Sequence, residues 1–214
     1  MTDRLEEREE NVRPEEEIPQ LRTAETEVEA EQAEEVAEHA PGRFDVPSGY
    51  RVVTGSSDGD GVAVGVVVAK FNGEITRRLL ERALEELEAA NVPRESVTIV
   101  PVPGAFELPL AAMALAKTRK YACVVALGCV VRGETPHFDF VAGEAARGLA
   151  QASAEFDVPV SLGLLTTDTY EQAEARAGGS HGNKGWDSAM AAMEMADLFE
   201  MLDAGELADD EAEG

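Results

Sequence analysis

The chain has 214 residues and a formal charge of −25, with 43 acidic side chains against 18 Lys and Arg. So acidic a chain repels nucleic acid and anionic membrane surfaces, and neither is expected as a partner. No apolar run reaches the roughly 18 residues of a membrane span, and residues 1–11 lack the apolar core of a signal peptide, so a cytoplasmic location is expected.

The charge is unevenly spread. Residues 1–45 hold 16 acidic and 5 basic side chains, and residues 203–214 hold 6 acidic and no basic ones. Composition thus divides the chain into an acidic, disordered extension over 1–46, a folded domain over 47–202 and an acidic, disordered tail over 203–214. Solvated ends are one reading of this excess. With only 4 Lys against 14 Arg, a protein kept soluble in concentrated salt is the other.

In chain order, residues 15–39 are rich in Glu and Ala and offer no more than transient helix. Residues 50–54 alternate like a short strand, but the Ser/Asp/Gly stretch 55–61 separates them from the next apolar run. Such a strand is expected to join a neighbouring subunit. Residues 62–70, VAVGVVVAK, have no polar alternation and read as a first central strand covered on both faces. Asn72 suits an N-cap, and the helix to residue 90 puts Ile75, Leu79, Leu80, Ala83, Leu84 and Leu87 on one stripe. Glu74/Arg78 and Arg77/Glu81 pair at helical spacing. The turn carries neither GxGxxG nor GxxxxGK[ST], so a dinucleotide or P-loop nucleotide is not indicated.

Residues 97–102 read as a second central strand, and the helix to 117 accepts Pro109 in its first turn. A third strand covers 124–131 and a helix 138–156; a fourth strand covers 158–166 and a short helix 169–177. A Gly-rich loop over 178–185 leads to a long last helix ending at 202. Cys123 and Cys129, about 20 Å apart if the strand is extended, cannot bridge and are expected to be reduced and buried, with no metal site.

Strand and helix alternate four times, the pattern of a doubly wound parallel sheet whose ligands lie at the carboxyl ends of the strands. That edge gathers Phe71, residues 105–107, 132–137 and 166–169. His137 has the side chain best suited to proton transfer near neutrality, or is a plain turn residue. Glu134 and Thr135 can offer backbone N–H groups and a hydroxyl to a phosphate at a helix N-terminus, although the Glu carboxylate repels anions; alternatively Thr135 caps the helix. Arg176 and Lys184 flank GGSHGN and can hold a phosphate between them, while Arg176 equally suits a helix C-terminus. Phe71 is either a platform for a planar ligand or a core residue, Trp186 is similarly ambiguous, and His39 and His181 carry no signal.

Five motifs stand in register: KFN at 70–72, VPGAFELP at 102–109, LGCVVRGETPHFDFV at 127–141, GLLTTDT at 163–169 and GNKGWDSA at 182–189. Together they resemble the lumazine synthase family over roughly residues 50–202. The resemblance implies an α/β, flavodoxin-like three-layer sandwich around a four-stranded parallel sheet. It also implies a transferase of riboflavin biosynthesis that needs no cofactor. The reaction condenses 5-amino-6-ribitylaminouracil with 3,4-dihydroxy-2-butanone 4-phosphate to 6,7-dimethyl-8-ribityllumazine, releasing phosphate and water.

Matched to the family's motifs, Phe71 would stack on the pyrimidine, and Ala105, Phe106 and Glu107 would hold the ribityl chain and ring. Cys129, Val130 and Val131 would contact the ring through backbone, Glu134 and Thr135 would meet the phosphate, and His137 would move protons. Leu162, Arg176 and Lys184 would come from the adjacent subunit of a homopentamer, with Arg176 on the phosphate. Family members occur as pentamers or as 60-subunit shells, and the short AGGSHGNKG loop is similar to the shell-forming version. Riboflavin synthase is a further partner the resemblance raises. Leu162 departs from the aromatic common at its position, and the extension to residue 45 has no counterpart in short family members. Two rivals share the resemblance: the archaeal-type riboflavin synthase, which would make riboflavin from lumazine alone, and a non-catalytic flavin-binding shell protein, which would release no phosphate.

Overall fold

The computed structural model describes residues 46–204; the acidic extension expected over 1–46 lies outside them up to residue 45, and the tail expected over 203–214 lies outside them from residue 205, Asp203 being the last residue of a helix. Four strands and three helices alternate: β1 (Val64–Ala69), α1 (Gly73–Ala89), β2 (Val97–Val102), α2 (Leu108–Lys117), β3 (Cys123–Val131), α3 (His137–Phe156) and β4 (Val160–Thr167). After them come α4 (Tyr170–Ala175), a small hairpin of β5 (Ala177–Gly179) and β6 (Gly182–Asn183), and α5 (Lys184–Asp203). The four long strands form one parallel sheet in the order β2-β1-β3-β4.

The period-two geometry of the strands creates two cores. Val64, Val66, Val68, Cys123, Val125 and Leu127 face α1 and α5, whereas Val67, Ala69, Val124 and Ala126 face α2 and α3. Burying a side chain such as Leu79, Leu127 or Leu149 contributes about 1.5–3 kcal/mol each, and such residues fill both layers. This is the doubly wound parallel sheet that the strand–helix alternation predicts and the α/β flavodoxin-like sandwich that the resemblance implies. The apolar stripe of α1 turns Ile75, Leu79, Ala83 and Leu87 inward, while Leu80 and Leu84 are half-buried at its border. On its outer face both expected ion pairs form, and Arg77 also bonds Glu74.

Two expectations need correction. The strand over 97–102 is an edge strand, largely exposed, which is where Pro101 with its missing N–H belongs. The Gly-rich stretch is partly ordered into the antiparallel β5–β6 pair, and Asn183 caps α5 by accepting the Gly185 N–H at 2.8 Å. Residues 50–54 form no strand within this chain, and Tyr50 and Val52 are exposed.

Gly185 sets how closely α5 approaches α1. A Cβ built there would lie 2.0 Å from the Leu79 carbonyl oxygen, so only hydrogen fits between the two backbones. Asn183 Nδ2 donates to the Arg78 carbonyl at 3.4 Å beside this crossing.

Candidate functional site

Register brings the strand ends level, with Ala69 beside Val102 and Val131 beside Thr167. The sheet's order reverses between β1 and β3, and in open α/β sheets the ligand crevice opens at that point. Asn72 spans it. Its backbone is left-handed (φ 55°), and instead of capping α1 its Nδ2 donates to the Cys129 carbonyl at 2.9 Å. Asn combines tolerance of that conformation with a short amide donor. Asn72→Ala is expected to lower stability by about 2 kcal/mol, because it loses the bond and strains the backbone, and Asn72→Gly by clearly less. Equal denaturant midpoints for the two variants would show that the backbone conformation does not matter there.

Phe71 stands beside this bond with 71% of its surface exposed, so it is no core residue. Its N–H donates to the Pro103 carbonyl at 3.1 Å, tying the end of β1 to the turn after β2. In that turn Ala105 is buried and Phe106 is 59% exposed. Glu107 is braced: its Oε2 accepts the Gly104 N–H at 2.9 Å, while its own N–H donates to the Gly104 carbonyl at 3.3 Å. Cys129 is buried at the end of β3, and Val130 and Val131 are half-buried. Burial pushes the Cys129 thiol up to about 11 and the Cys123 thiol up to about 12, so both stay neutral and are poor nucleophiles. Backbone is what this strand offers a ligand.

Glu134, Thr135 and His137 are all exposed on the following turn. Pro136 occupies the N-cap position of α3 and no side chain caps the helix, so Thr135 is free of the capping role. An uncapped helix N-terminus presents N–H groups and the positive end of the dipole to an anion. His137 is the first residue of that helix.

Sequence reasoning gave Arg132 no role, yet it is the best-connected side chain of the turn. Its Nε donates to Asp168 Oδ1 at 2.8 Å, its Nη1 donates to Asp139 Oδ1 at 3.1 Å, and its Cζ lies 4.0 Å from the Phe138 ring centroid. The Asp168 hydrogen bond is the chief cause raising its pKa above the ordinary arginine value; desolvation opposes, and Asp139 adds to the rise. Asp168 is far along the chain from Arg132, so only the pairing of β3 with β4 exposes the link.

Leu162 and Lys184 lie on a different groove, which Arg176 does not line. Leu162 is 47% exposed on the edge strand, in register with Ala126 and well back from the strand end. It lines a groove of about 410 Å³ together with Ser161, Lys184, Asp187, Met195 and Phe199. Lys184 Nζ is 3.7 Å from Asp187 Oδ2, and the Lys184 N–H donates to the Arg176 carbonyl at 2.9 Å, so the β5–β6 hairpin brings both cationic residues together. Arg176 itself donates from Nη1 to the Gln172 carbonyl at 3.1 Å, the helix C-terminal role that its position also suggests. None of Phe71, Ala105, Phe106, Glu107, Glu134, Thr135 or His137 lines that groove.

Among the described residues no cluster of His, Cys, Asp and Glu is arranged to hold a metal, and no helix is long and apolar enough to cross a membrane. His181 is exposed, its Nδ1 2.9 Å from Ser180 Oγ, Trp186 is half-buried, and His39 lies outside the described residues.

The family model for 6,7-dimethyl-8-ribityllumazine synthase matches residues 61–200, which is the whole sheet with all its covering helices. A protein of that name from Gemmatimonas aurantiaca is 53% identical over 147 residues, covering 69% of this chain and 90% of the relative. Another of the same name, from Desulfatibacillum aliphaticivorans, is 48% identical over 152 residues, covering 71% of this chain and 98% of the relative. A fold matched from first strand to last helix, at about half identity to nearly complete relatives, places the chain in the 6,7-dimethyl-8-ribityllumazine synthase family.

Proposed function

We propose that this chain carries out its family's condensation at a site that one subunit begins and an adjacent copy completes. The activity is that of the family: a transferase of riboflavin biosynthesis joins 5-amino-6-ribitylaminouracil to 3,4-dihydroxy-2-butanone 4-phosphate, with phosphate and water leaving. What supports the shared-site reading is that Leu162 and Lys184 line a groove beside β4 which none of the residues along the carboxyl edge lines.

On the first subunit, Phe71 stacks on the pyrimidine, Ala105 to Glu107 receive the ribityl chain, and Cys129 to Val131 meet the ring through backbone. Glu134 and Thr135 receive the phosphate through backbone N–H and hydroxyl, supported by the uncapped helix start. The amine is already nucleophilic, so its attack on the ketone needs proximity and proton transfer. His137 moves protons as water leaves the carbinolamine and as phosphate leaves the enol. Leu162, Arg176 and Lys184 of the neighbour close the ring and phosphate ends, with Arg176 on the phosphate.

We take the working unit to be residues 47–202 in a cyclic homopentamer, with 1–46 and 203–214 outside it. Residues 50–54, which form no strand within the chain, complete one on the neighbour. The short 177–185 connection favours the larger 60-subunit shell, a surrounding in which riboflavin synthase can meet the product, in the cytoplasm.

The decisive experiment mixes two defective variants. Arg176→Ala alone is expected to raise KM for the butanone phosphate by about tenfold or more, since one charge-assisted contact to phosphate is lost. Co-expressed with His137→Ala, it is expected to recover activity at about a quarter of the sites, those that happen to pair two intact halves. No recovery above the separate variants would mean that both residues serve the same chain's site.

A further inference from the structure

Arg132 makes contacts that stability does not explain. Its partners Asp139 and Asp168 are largely exposed, and exposed ion pairs contribute little to folding. What distinguishes them is location. Asp139 lies in the first turn of α3, two residues after His137; Asp168 follows β4; and Phe138, under the guanidinium, adjoins His137 directly. The Arg132 N–H also donates to the Thr167 carbonyl at 2.8 Å. One side chain therefore joins the helix start to the end of the neighbouring strand.

We propose that Arg132 is a positioning residue for the butanone phosphate: it holds the 132–139 turn against the end of β4 and cancels two carboxylates that the anionic substrate would otherwise meet. The proposal rests on the reading of Glu134, Thr135 and His137 as the phosphate end of the site. Asp139 stands in the first turn of the helix that His137 begins, and Arg132, at the start of the 132–139 turn, holds Asp168; charges are felt over about 8 Å at physiological salt. A fork with several fixed donors serves two carboxylates and stacks on a ring at once, which a lysine ammonium does not.

The test is steady-state phosphate release by the full chain, with each substrate varied in turn. Arg132→Gln is expected to raise KM for the butanone phosphate about tenfold while KM for the pyrimidine amine stays within about twofold. Arg132→Lys restores the charge and most of that KM but leaves kcat low, because the turn is no longer held from two sides. Adding Asp168→Asn to Arg132→Gln recovers much of the loss. Asp168→Asn alone, which keeps Arg132 and its fold contacts to α3, lowers KM for the phosphate substrate by removing one anion. Equal rises in both KM values for Arg132→Gln, or no response of the phosphate KM to Asp168→Asn in either background, overturn the proposal. Thr135→Ala run in parallel separates the two readings. If it leaves the phosphate KM unchanged, the assignment of the turn has failed; if it responds and the Arg132 and Asp168 variants do not, the role of Arg132 alone has failed.

Discussion

His137→Ala is expected to lower kcat for phosphate release roughly 10²- to 10⁴-fold, the range that loss of a positioned proton-transfer group produces. The structure makes this a clean experiment. The ring is exposed, no described residue hydrogen-bonds it, and it begins a helix in which alanine is well tolerated. Exposed substitutions of this kind alter stability by no more than about 0.5 kcal/mol. A loss of rate with unchanged melting and unchanged assembly by light scattering therefore reports chemistry. Since His137 is expected to act in steps after both substrates bind, kcat should carry most of the loss. Turnover within a few-fold of the parent chain would remove His137 from the mechanism and leave the remaining site to work by proximity alone.

Gly185→Ala is expected to have the largest effect on the fold. The added methyl would meet the Leu79 carbonyl oxygen at 2.0 Å and the Leu79 carbonyl carbon at 2.8 Å, backbone atoms in the middle of α1 that have no rotamer to change. Overpacking of this sort typically costs about 1–3 kcal/mol, and a rigid backbone neighbour puts it at or above the upper end. Relief requires α5 to move away from α1, and Lys184 and Asn183 begin that helix. The variant should therefore melt several degrees lower and also bind the butanone phosphate less well, since Lys184 and Arg176 move with the hairpin. A melting temperature within a degree of the parent chain would show that the two helices have room the geometry denies them. Gly73→Ala, where a Cβ meets nothing within 4 Å, is the control.

The order and type of the long elements were readable because each rests on a local pattern. The Val run of β1 and the i, i+3, i+4 stripe of α1 depend on burial alone, and five motifs in register carried the family. What failed to show in the sequence depends on strand order. Val97–Val102 is apolar enough for a central strand, and only Pro101 hints at the edge where it lies. Asn72 sits where a cap belongs, but its side chain turns to β3, where Nδ2 donates to the Cys129 carbonyl, and its Oδ1 caps no helix N–H. Arg132 and Asp168 look unrelated until β3 and β4 pair. Leu162 gave no sign by pattern of facing outward on an edge. The candidate site, with Leu162, Arg176 and Lys184 assigned to a neighbour, was thus legible only through resemblance; the folded chain adds that Leu162 and Lys184 share a groove which the residues of the carboxyl edge do not line.

Glu107 is already committed before any ligand arrives. Because Oε2 is engaged by the Gly104 N–H, the side chain has given up its rotamer freedom on folding, a loss of up to about 2 kcal/mol for a glutamate. In the proposed role, a polyol hydroxyl arriving at the other oxygen would find an acceptor whose direction is settled, so the entropy of ordering it would not be charged against affinity. Flexible chains of hydroxyls lose much freedom of their own when held, and a receptor that has none left to lose is the better match for them.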